Sequence, residues 1–357
     1  MTVRLLPAEL YPVAGRVPTH TLLDVRAPIE VSRGSLPGAV ALPILTNKER
    51  HLVGIRYQEA GQDAAVSLGY ELTGPHLSGR TQAWRDVVSR GPTAVACWRG
   101  GLRSALTVEF IGDERVPRVE GGYKAIRNYL MSTLETSVSR YDVKVIGGLT
   151  GSGKTDLLTQ IEGVVRGLKV LDLEQEAKHR GSAFGKLVEQ QPAQASFENS
   201  LAVQLILGEE SRLLLEDESR TIGRLHLPDA VHKAIQTSPI ILVEEPLKGR
   251  VARIHRDYVL RLSSTLGVPE ARKRLSERMS SLKQRLSGVV LEDALKVLTD
   301  AELDDTWAEA GAHEGWIVPL LTQYYDPLYQ KSMERTNRPV IFRGDVEACR
   351  AWLSQPA

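Results

Sequence analysis

The sequence has few cysteines and no long apolar segment. Only two of its 357 residues are cysteine, Cys97 and Cys349, so a framework of disulfide bonds is excluded and both thiols suit a reducing compartment. Residues 1–10 lack the apolar stretch of a signal peptide, because Pro7 interrupts them. The longest apolar runs, such as residues 240–243, are far too short to cross a bilayer. We therefore expect a cytoplasmic protein with no membrane partner.

An excess of charge of one sign is also lacking. The chain has 45 Lys and Arg residues against 44 Asp and Glu residues, and this near balance leaves room for a local basic face. A hydrophobic content of 42% and a charged content of 25% are typical of a soluble globular protein. The length exceeds one ordinary core and suits two domains.

Short strands alternate with helices along the chain, which predicts an α/β fold with a parallel sheet in each half. A polar stretch at residues 131–140 is taken as the linker, so we expect a first domain at residues 1–137 and a second at 138–357. The predicted strands are residues 21–25, 93–96, 143–146, 169–173, 238–243 and 339–342. The predicted helices are residues 155–165, 197–207, 247–262 and 269–286, together with one that follows Ser104.

A glycine-rich motif lies between a predicted strand and a predicted helix in the second half. It fits G-x-x-x-x-G-K-[ST] at every fixed position, which is typical of a phosphate-binding P-loop. Backbone amides and the helix N-terminus would bind phosphate oxygens together with Lys154, and Thr155 would ligate Mg²⁺. The alternative is a strand–helix turn without a ligand. The predicted phosphate-binding residues are Gly148, Gly151, Ser152, Gly153, Lys154 and Thr155.

A P-loop also needs an acidic partner for the metal ion. The apolar run at residues 213–215 ends on carboxylates, as the strand that carries this acid would. Asp217 is therefore the predicted second magnesium ligand beside Thr155. Asp172 and the pair at 244–245 are competing candidates, since each also follows an apolar run. The motif predicts a phosphate-containing ligand without specifying a nucleotide.

The first half contains a cysteine at the end of a predicted strand. Two glycines follow it, then an arginine six residues on, then a helix. Loop amides, two arginines and the helix N-terminus favour a thiolate over a thiol, and they suit a thiolate that accepts sulfur or selenium. A buried structural cysteine and the phosphate-binding loop of a cysteine phosphatase are the alternatives. The predicted catalytic residues are Cys97, Arg99, Gly100, Gly101 and Arg103. Cys349, in an amphipathic helix near the chain end, is expected to serve packing.

Several motifs make the first half resemble a rhodanese domain. They are Asp24-Val25-Arg26-x-Pro28-x-Glu30, the Leu36-Pro37-Gly38-Ala39 turn, the Cys97 loop and Glu120-Gly121-Gly122-Tyr123-Lys124-Ala125. Asp24, Arg26 and Glu30 are interpreted as charges that hold loops, not as catalysts. The resemblance implies a rhodanese-like domain joined to a P-loop NTPase-like domain with additional helices.

The fusion of these two domains resembles the bacterial tRNA 2-selenouridine synthases over nearly the whole chain. The supporting motifs are Asn47-x-x-Arg50-x-x-Val53-Gly54-x-x-Tyr57, Gly147 to Thr155, His179 to Gly185, Gln191-Pro192, Phe197-Glu198-Asn199, Glu216 to Gly223 and Tyr324 to Tyr329. The sequence departs from the family at Leu102, where methionine is expected.

The resemblance implies that the 2-thio sulfur of a wobble uridine in tRNA is replaced by selenium from selenophosphate. It also implies an S-geranyl-2-thiouridine intermediate made with geranyl diphosphate, and no covalently bound cofactor. Alkylation converts the sulfur into a thiol leaving group that selenium can displace at C2. We expect the P-loop to hold the diphosphate and Cys97 to carry or deliver selenium. The implied partners are tRNA with 2-thiouridine and an enzyme that supplies selenophosphate.

Basic residues are concentrated between Lys248 and Leu286, where only three acids occur. This pattern suits contact with a phosphate backbone, although a solvated helix face is the alternative. Two interpretations fit Tyr324, Tyr325 and Tyr329: they stack on bases of the tRNA, or they belong to the core. The predicted ligand or tRNA contacts are His179, Arg180, Asp217, Arg220, Arg250, Arg253, Arg256, Arg272 and Arg274.

Two other functions fit the residues without the family resemblance. One is a cysteine phosphatase-like domain fused to a small-molecule kinase, which would hydrolyse a phosphomonoester or ATP. The other is a non-catalytic adaptor that binds tRNA or a nucleotide.

Overall fold

The computed structural model describes residues 3–181, 189–285, 288–303 and 305–355. Two expected features fall partly outside these ranges: residues 182–185 of the His179 motif, and Leu286 at the end of a predicted helix. The chain forms two compact units. Unit 1 comprises Met1–Arg140 and Pro192–Glu209, and unit 2 comprises Tyr141–Gln191 and Glu210–Ala357.

The strands form two five-stranded sheets and one small hairpin. The strands are β1 (Arg4–Leu5), β2 (Thr21–Asp24), β3 (Val40–Ala41), β4 (Thr93–Ala96), β5 (Arg118–Val119), β6 (Asp142–Gly147), β7 (Leu168–Leu171), β8 (Arg212–Glu216), β9 (Thr221–Ile222), β10 (Leu225–His226), β11 (Ile240–Val243) and β12 (Val340–Gly344). The six predicted strands correspond to β2, β4, β6, β7, β11 and β12.

Helices connect the strands and add a helical region to unit 2. The helices are α1 (Pro7–Leu10), α2 (Pro28–Val31), α3 (Asn47–Val88), α4 (Leu102–Ile111), α5 (Gly122–Val138), α6 (Lys154–Ile161), α7 (Leu173–Ala177), α8 (Gln194–Leu207), α9 (Asp229–Thr237), α10 (Leu247–Ile254), α11 (Arg261–Leu266), α12 (Val268–Ser280), α13 (Gly288–Leu303), α14 (Glu314–Pro319), α15 (Asp326–Thr336) and α16 (Val346–Leu353). Two π-helical segments, His255–Leu260 and Leu320–Tyr325, and one 3-10 segment, Ala310–His313, join some of them. None of the described helices has the length and apolar composition needed to cross a membrane.

Unit 1 contains a parallel sheet in the order β1-β5-β4-β2-β3. Strand β4 is buried throughout, which explains its continuous apolar sequence, and it leads directly into the Cys97 loop. Helix α3 begins at a capping box, in which Thr46 Oγ1 accepts a hydrogen bond from the amide of Glu49, and it is kinked at Gly61.

The predicted linker at residues 131–140 is wrong. Helix α5 runs through most of it, because Leu130, Leu134 and Val138 recur at helical spacing and are buried. The first break between the units follows Arg140.

Helix α8 belongs to unit 1, although its neighbours in sequence belong to unit 2. Asn199 at its centre is fully buried, and its Nδ2 donates to the carbonyl oxygen of Ser35 at 2.7 Å and to Tyr123 Oη at 3.2 Å. Arg127 of α5 donates to Asn199 Oδ1 at 2.9 Å and forms an ion pair with Glu198. A single boundary at residue 137 does not describe this crossing of the chain.

Unit 2 contains a parallel sheet in the order β12-β11-β6-β8-β7. Strand β6 lies at its centre, so the segment that follows β6 lies between the carboxyl ends of β8 and β11. Helices α6 and α16 pack on the sheet through one apolar cluster that includes Leu157 and the fully buried Cys349. This confirms the packing role predicted for Cys349. A second cluster, which includes Leu275, Leu298 and Trp316, forms the core of the helical region.

Candidate functional sites

The P-loop follows β6 and leads into α6, as the motif predicts. Gly153, which precedes α6, has φ of 99°, and a Cβ there would lie 2.8 Å from Val346 Cγ2, so a larger residue would both strain and crowd the turn. Lys154 Nζ donates to the carbonyl oxygen of Gly148 at 2.8 Å. The amide of Gly148 donates to Tyr329 Oη at 2.8 Å. In this arrangement the lysine folds back onto its own loop.

Arg250 and Arg253 hold the P-loop from outside. Arg250 Nε donates to the carbonyl oxygen of Thr150 at 2.9 Å, and its guanidinium pairs with Asp326. Arg253 donates to the carbonyl oxygen of Gly151 at 3.0 Å and pairs with Asp156 and Glu245. Because the Arg250 side chain is only 4% exposed, its predicted contact with tRNA is wrong. The partners of both arginines lie in the P-loop and its surroundings.

The acid beside Thr155 is Glu216, not Asp217. Glu216 ends β8 opposite Ile146 of β6, and its Oε1 lies 3.5 Å from Thr155 Oγ1. Asp217 instead pairs with Arg338 at 2.7 Å in a nearly buried ion pair. Successive side chains of a strand point to opposite sides, so a shift of one residue moves the carboxylate away from the loop.

The competing candidates for the acid, Asp172 and the pair at 244–245, also have other partners. Asp172 caps α7 by accepting a hydrogen bond from the amide of Gln175. Glu244 pairs with Arg343, and the neighbouring acid pairs with Arg253.

Two carboxyl groups near the P-loop, those of Glu216 and Glu218, have raised pKa values. Burial raises the pKa of Glu216 well above its ordinary value, and the charges of Glu174 and Asp172 raise it further. Burial and Glu174 likewise raise the pKa of Glu218. Glu216 Oε2 has no hydrogen-bond partner within the described ranges, nor does the nearly buried Ser152 Oγ of the P-loop. A cation supplied from outside would relieve this arrangement.

The P-loop and these acids line a cavity of about 730 Å³ in unit 2. The lining also contains aromatic and aliphatic residues, namely Ile254, Tyr258, Tyr324, Tyr325 and Leu328. The cavity thus combines a phosphate-binding loop with an apolar wall. Its basic lining residues outside the P-loop are Arg180, Arg220, Arg253, Arg285 and Arg335.

The other predicted ligand residues lie at different distances from this cavity. Arg180 lines it, pairs with Asp257 at 3.0 Å and stacks over the Tyr258 ring. Its neighbour His179 does not line it, and burial lowers the pKa of the His179 imidazole. Arg220 lines the cavity and pairs with Asp229, both side chains being exposed.

The remaining predicted tRNA contacts form ion pairs on the helices. Arg256 pairs with Asp156 and Asp257, Arg272 with Glu302 and Arg274 with Glu270. The exposed basic residues of this stretch that the structure describes include Lys248, Arg261, Lys273, Lys283 and Arg285.

The predicted magnesium site does not form a cluster of acids. Among the described residues, no group of three or more His, Cys, Asp or Glu side chains has the geometry to hold a metal ion. Thr155 Oγ1 and the Glu216 carboxylate nevertheless offer the hard oxygen ligands that Mg²⁺ prefers, and Mg²⁺ in such sites commonly takes its remaining ligands from phosphate and water.

Cys97 lies in unit 1 at the carboxyl end of β4. Its side chain is 2% exposed, and Sγ lies 3.4 Å from Ser104 Oγ in α4. The Cys97 carbonyl oxygen accepts a hydrogen bond from the amide of Tyr123 at 2.9 Å. Gly101 precedes the first turn of α4, so the cysteine, the loop amides and a ten-residue helix N-terminus adjoin one another, as predicted.

The two loop arginines differ in their surroundings. Arg99 is exposed. Arg103 donates to both carboxylate oxygens of Glu30, at 2.6 and 3.0 Å. Burial alone would raise the pKa of Glu30, but the hydrogen bond and charge of Arg103 outweigh it and lower that pKa. Arg103 therefore braces the loop, and Arg99 is the more accessible cation.

A stack of aromatic and cationic groups supports the Cys97 loop. The Arg26 guanidinium lies 3.6 Å from the Tyr123 ring centre and pairs with Asp24. Trp98 stacks on Tyr123 with ring centres 5.5 Å apart, while 38% of Trp98 stays exposed. These contacts fit the scaffold role predicted for Asp24, Arg26 and Glu30. Trp98 was not singled out from the sequence, although it directly follows the cysteine.

Comparison with known proteins gives concordant results. The family described as tRNA 2-selenouridine synthase AAA domain matches residues 141–357. A tRNA 2-selenouridine synthase from Shewanella loihica is 40% identical to this chain, and the alignment covers 99% of the chain and 97% of the relative. The corresponding proteins of Shewanella pealeana and Bordetella petrii are 37% and 38% identical, with 99% and 94% of this chain and 99% and 92% of the relatives aligned.

Proposed function

The chain belongs to the tRNA 2-selenouridine synthase family, and we propose that it converts a wobble 2-thiouridine of tRNA into 2-selenouridine in the cytoplasm. It is thus an enzyme that transfers selenium. Selenophosphate is the proposed selenium donor, and geranyl diphosphate is the proposed donor of an alkyl group that activates the sulfur.

Unit 1 is proposed to be a rhodanese-like domain. The support is its parallel α/β sheet, the Cys97 loop at the carboxyl end of β4 and the order of the motifs along the chain. Unit 2 carries the P-loop.

The cavity of unit 2 is the observation that carries the assignment of geranyl diphosphate. One part of its lining consists of P-loop residues and Lys154, which suit a diphosphate. Another part consists of aromatic and aliphatic residues, which suit an isoprenoid chain. Mg²⁺ held by Thr155 and Glu216 would neutralise charge on the diphosphate.

In the first step the 2-thio sulfur attacks C1 of the geranyl group. The C1–O bond breaks, its electron pair leaves with diphosphate, and the uridine loses its N3 proton. Lys154 and the loop amides stabilise the negative charge of the leaving group. For this, Lys154 must exchange its hydrogen bond with the Gly148 carbonyl oxygen for phosphate oxygens.

In the second step selenium forms a bond to C2 of the alkylated base. The C2–S bond breaks, and geranyl thiolate leaves with the electron pair and takes up a proton. Water then cleaves the selenium–phosphorus bond and releases phosphate. The Cys97 loop delivers the selenium: its amides and Arg99 hold the anionic donor, while Arg103 stays paired with Glu30.

The proposed tRNA contacts are the exposed basic residues of the helical region in unit 2. The first candidates for phosphate contacts are no longer the paired arginines but Lys248, Arg261, Lys273, Lys283 and Arg285. An enzyme that supplies selenophosphate is the proposed protein partner.

Two variants separate the two steps. Lys154→Ala should abolish geranyl transfer to thiouridine tRNA and yet selenate a tRNA that is already S-geranylated. Cys97→Ser should geranylate normally and fail to selenate. Both are followed by mass spectrometry of the nucleosides, with Lys233→Ala at an exposed position of α9 as a matched control for loss of a lysine charge. Normal geranylation by Lys154→Ala, or a requirement for ATP hydrolysis, would contradict the P-loop role. Selenation by Cys97→Ser, or turnover of an aryl phosphate by the wild type, would contradict the role of Cys97.

A further inference from the structure

A second cavity lies in unit 1 beside the Cys97 loop. Its volume is about 370 Å³, and it is lined by residues of α3 and α4 and by the segment before α3. This is within the range of about 300–1,000 Å³ in which small-molecule sites fall. Representative lining residues are Ile44, Val53, Ala65, Tyr70, Leu106 and Phe110.

The lining offers apolar surface and few free polar groups. The guanidinium of Arg103 is bound to Glu30, and Thr73 Oγ1 donates to the carbonyl oxygen of Gly69 at 2.8 Å. Tyr57 and Tyr70 are 58% and 44% exposed although they line the cavity. Apolar side chains that stay exposed around one cavity mark a binding site, and the ligand they favour is uncharged and apolar.

The cavity is continuous with the reactive loop through shared residues. Leu102 and Arg103 begin α4 directly after the loop, and both line the cavity. Cys97 belongs to the same apolar cluster as Ile44 and Phe110, which also line it. A molecule bound there would therefore extend toward the loop that holds the cysteine.

We propose that this cavity binds the geranyl chain of the S-geranylated nucleoside during selenation. The inference rests on the proposed function, which requires a nucleoside whose sulfur carries a ten-carbon apolar group to react at the Cys97 loop. Phosphate, selenophosphate and ribose would each find few polar partners in such a lining, whereas an isoprenoid chain would bury apolar surface. The cavity then explains how the enzyme distinguishes the alkylated intermediate from 2-thiouridine, and it makes the leaving thiol the bound product.

The test uses the full-length protein, saturating selenophosphate and two anticodon stem-loop RNAs. One carries S-geranyl-2-thiouridine and the other S-methyl-2-thiouridine, which has a chemically similar leaving thiol. For the wild type we expect a KM at least about tenfold lower for the S-geranyl RNA, since even one methylene in an apolar pocket is worth about 10-fold or more. Ala65→Leu, which narrows the cavity, should raise the KM for the S-geranyl RNA about tenfold and leave that for the S-methyl RNA unchanged. Ala60→Leu, the same change at an exposed position of α3, is the matched control.

Three results would each overturn the proposal. Equal KM values of the wild type for the two RNAs would overturn the proposal, and this comparison stands even if Ala65→Leu fails to fold. A folded Ala65→Leu protein that loses geranyl transfer from geranyl diphosphate, but selenates the S-geranyl RNA normally, would assign the cavity to the donor and overturn it as well. If the wild type selenates neither RNA, the proposed function itself fails and the cavity assignment falls with it.

Discussion

Gly122 holds the backbone that supports the Cys97 loop, and Gly122→Ala tests how much of the site depends on it. Gly122 has φ of 60°, and a Cβ there would lie 2.3 Å from the Cys97 carbonyl oxygen and 2.4 Å from the Gly100 amide nitrogen. The left-handed conformation costs a non-glycine residue about 1–2 kcal/mol. The overlap involves backbone atoms, which cannot rotate away, and adds about 1–3 kcal/mol. We therefore expect unit 1 to lose about 2–5 kcal/mol of stability against unfolding.

Gly112→Ala is the matched control. Gly112 ends α4 with φ of 78°, but the nearest atom to an added Cβ is Arg85 Nη2 at an ordinary 3.5 Å. It should cost only the conformational part, about 1–2 kcal/mol. Proteolysis in increasing urea, followed through peptides of unit 1, measures both losses.

The activities give an independent readout. The methyl group at position 122 must displace the Cys97 loop, so selenation of S-geranylated RNA should fall while geranyl transfer by unit 2 continues. Equal losses of stability in Gly122→Ala and Gly112→Ala, together with normal selenation by both, would contradict this role of Gly122.

Two further predictions concern unit 2. Glu216→Gln should lower geranyl transfer about 100-fold and weaken its dependence on Mg²⁺. Asp217→Asn should mainly destabilise the fold, because it leaves Arg338 without its partner. A Mg²⁺ titration of geranyl transfer by both variants measures this, and the reverse result would restore Asp217 as the ligand. Burial lowers the pKa of His313 to about 4. As the pH falls, the unfolded chain therefore binds a proton at this imidazole before the folded protein does, and the free energy of unfolding decreases by about 2 kcal/mol between pH 7 and pH 5. Urea unfolding of His313→Gln at these two pH values should show a shallower pH dependence than the wild type, and equal slopes would contradict this.

Both reactive loops could be predicted because their patterns are local. The fixed positions from Gly148 to Thr155 and the glycines after Cys97 determine backbone conformation over a few residues, and each lies where a strand meets a helix. The structure places them at the carboxyl ends of parallel strands, as these motifs require.

The acid and the arginines could not be predicted in the same way. Three consecutive leucines precede Glu216, so the sequence does not reveal which of the two following carboxylates turns toward Thr155. A basic stretch reveals charge but not its partners, and the partner of Arg250, Asp326, lies 76 residues away in sequence. Nothing local indicates that α8 joins unit 1 either, because the Ser35 and Tyr123 partners of Asn199 lie 164 and 76 residues away in sequence.

The path of α8 makes the two halves of the gene product inseparable by a single cut. A fragment that stops at Arg140 would keep Cys97 and its loop but lose the helix whose Phe197, Leu201 and Leu205 are almost completely buried. Its surface would then expose an apolar strip, and Tyr123, which supports the loop, would lack the amide of Asn199. The polypeptide enters unit 1 twice, so unit 1 can be exchanged or expressed intact only together with Pro192–Glu209, which lies in sequence between two parts of unit 2.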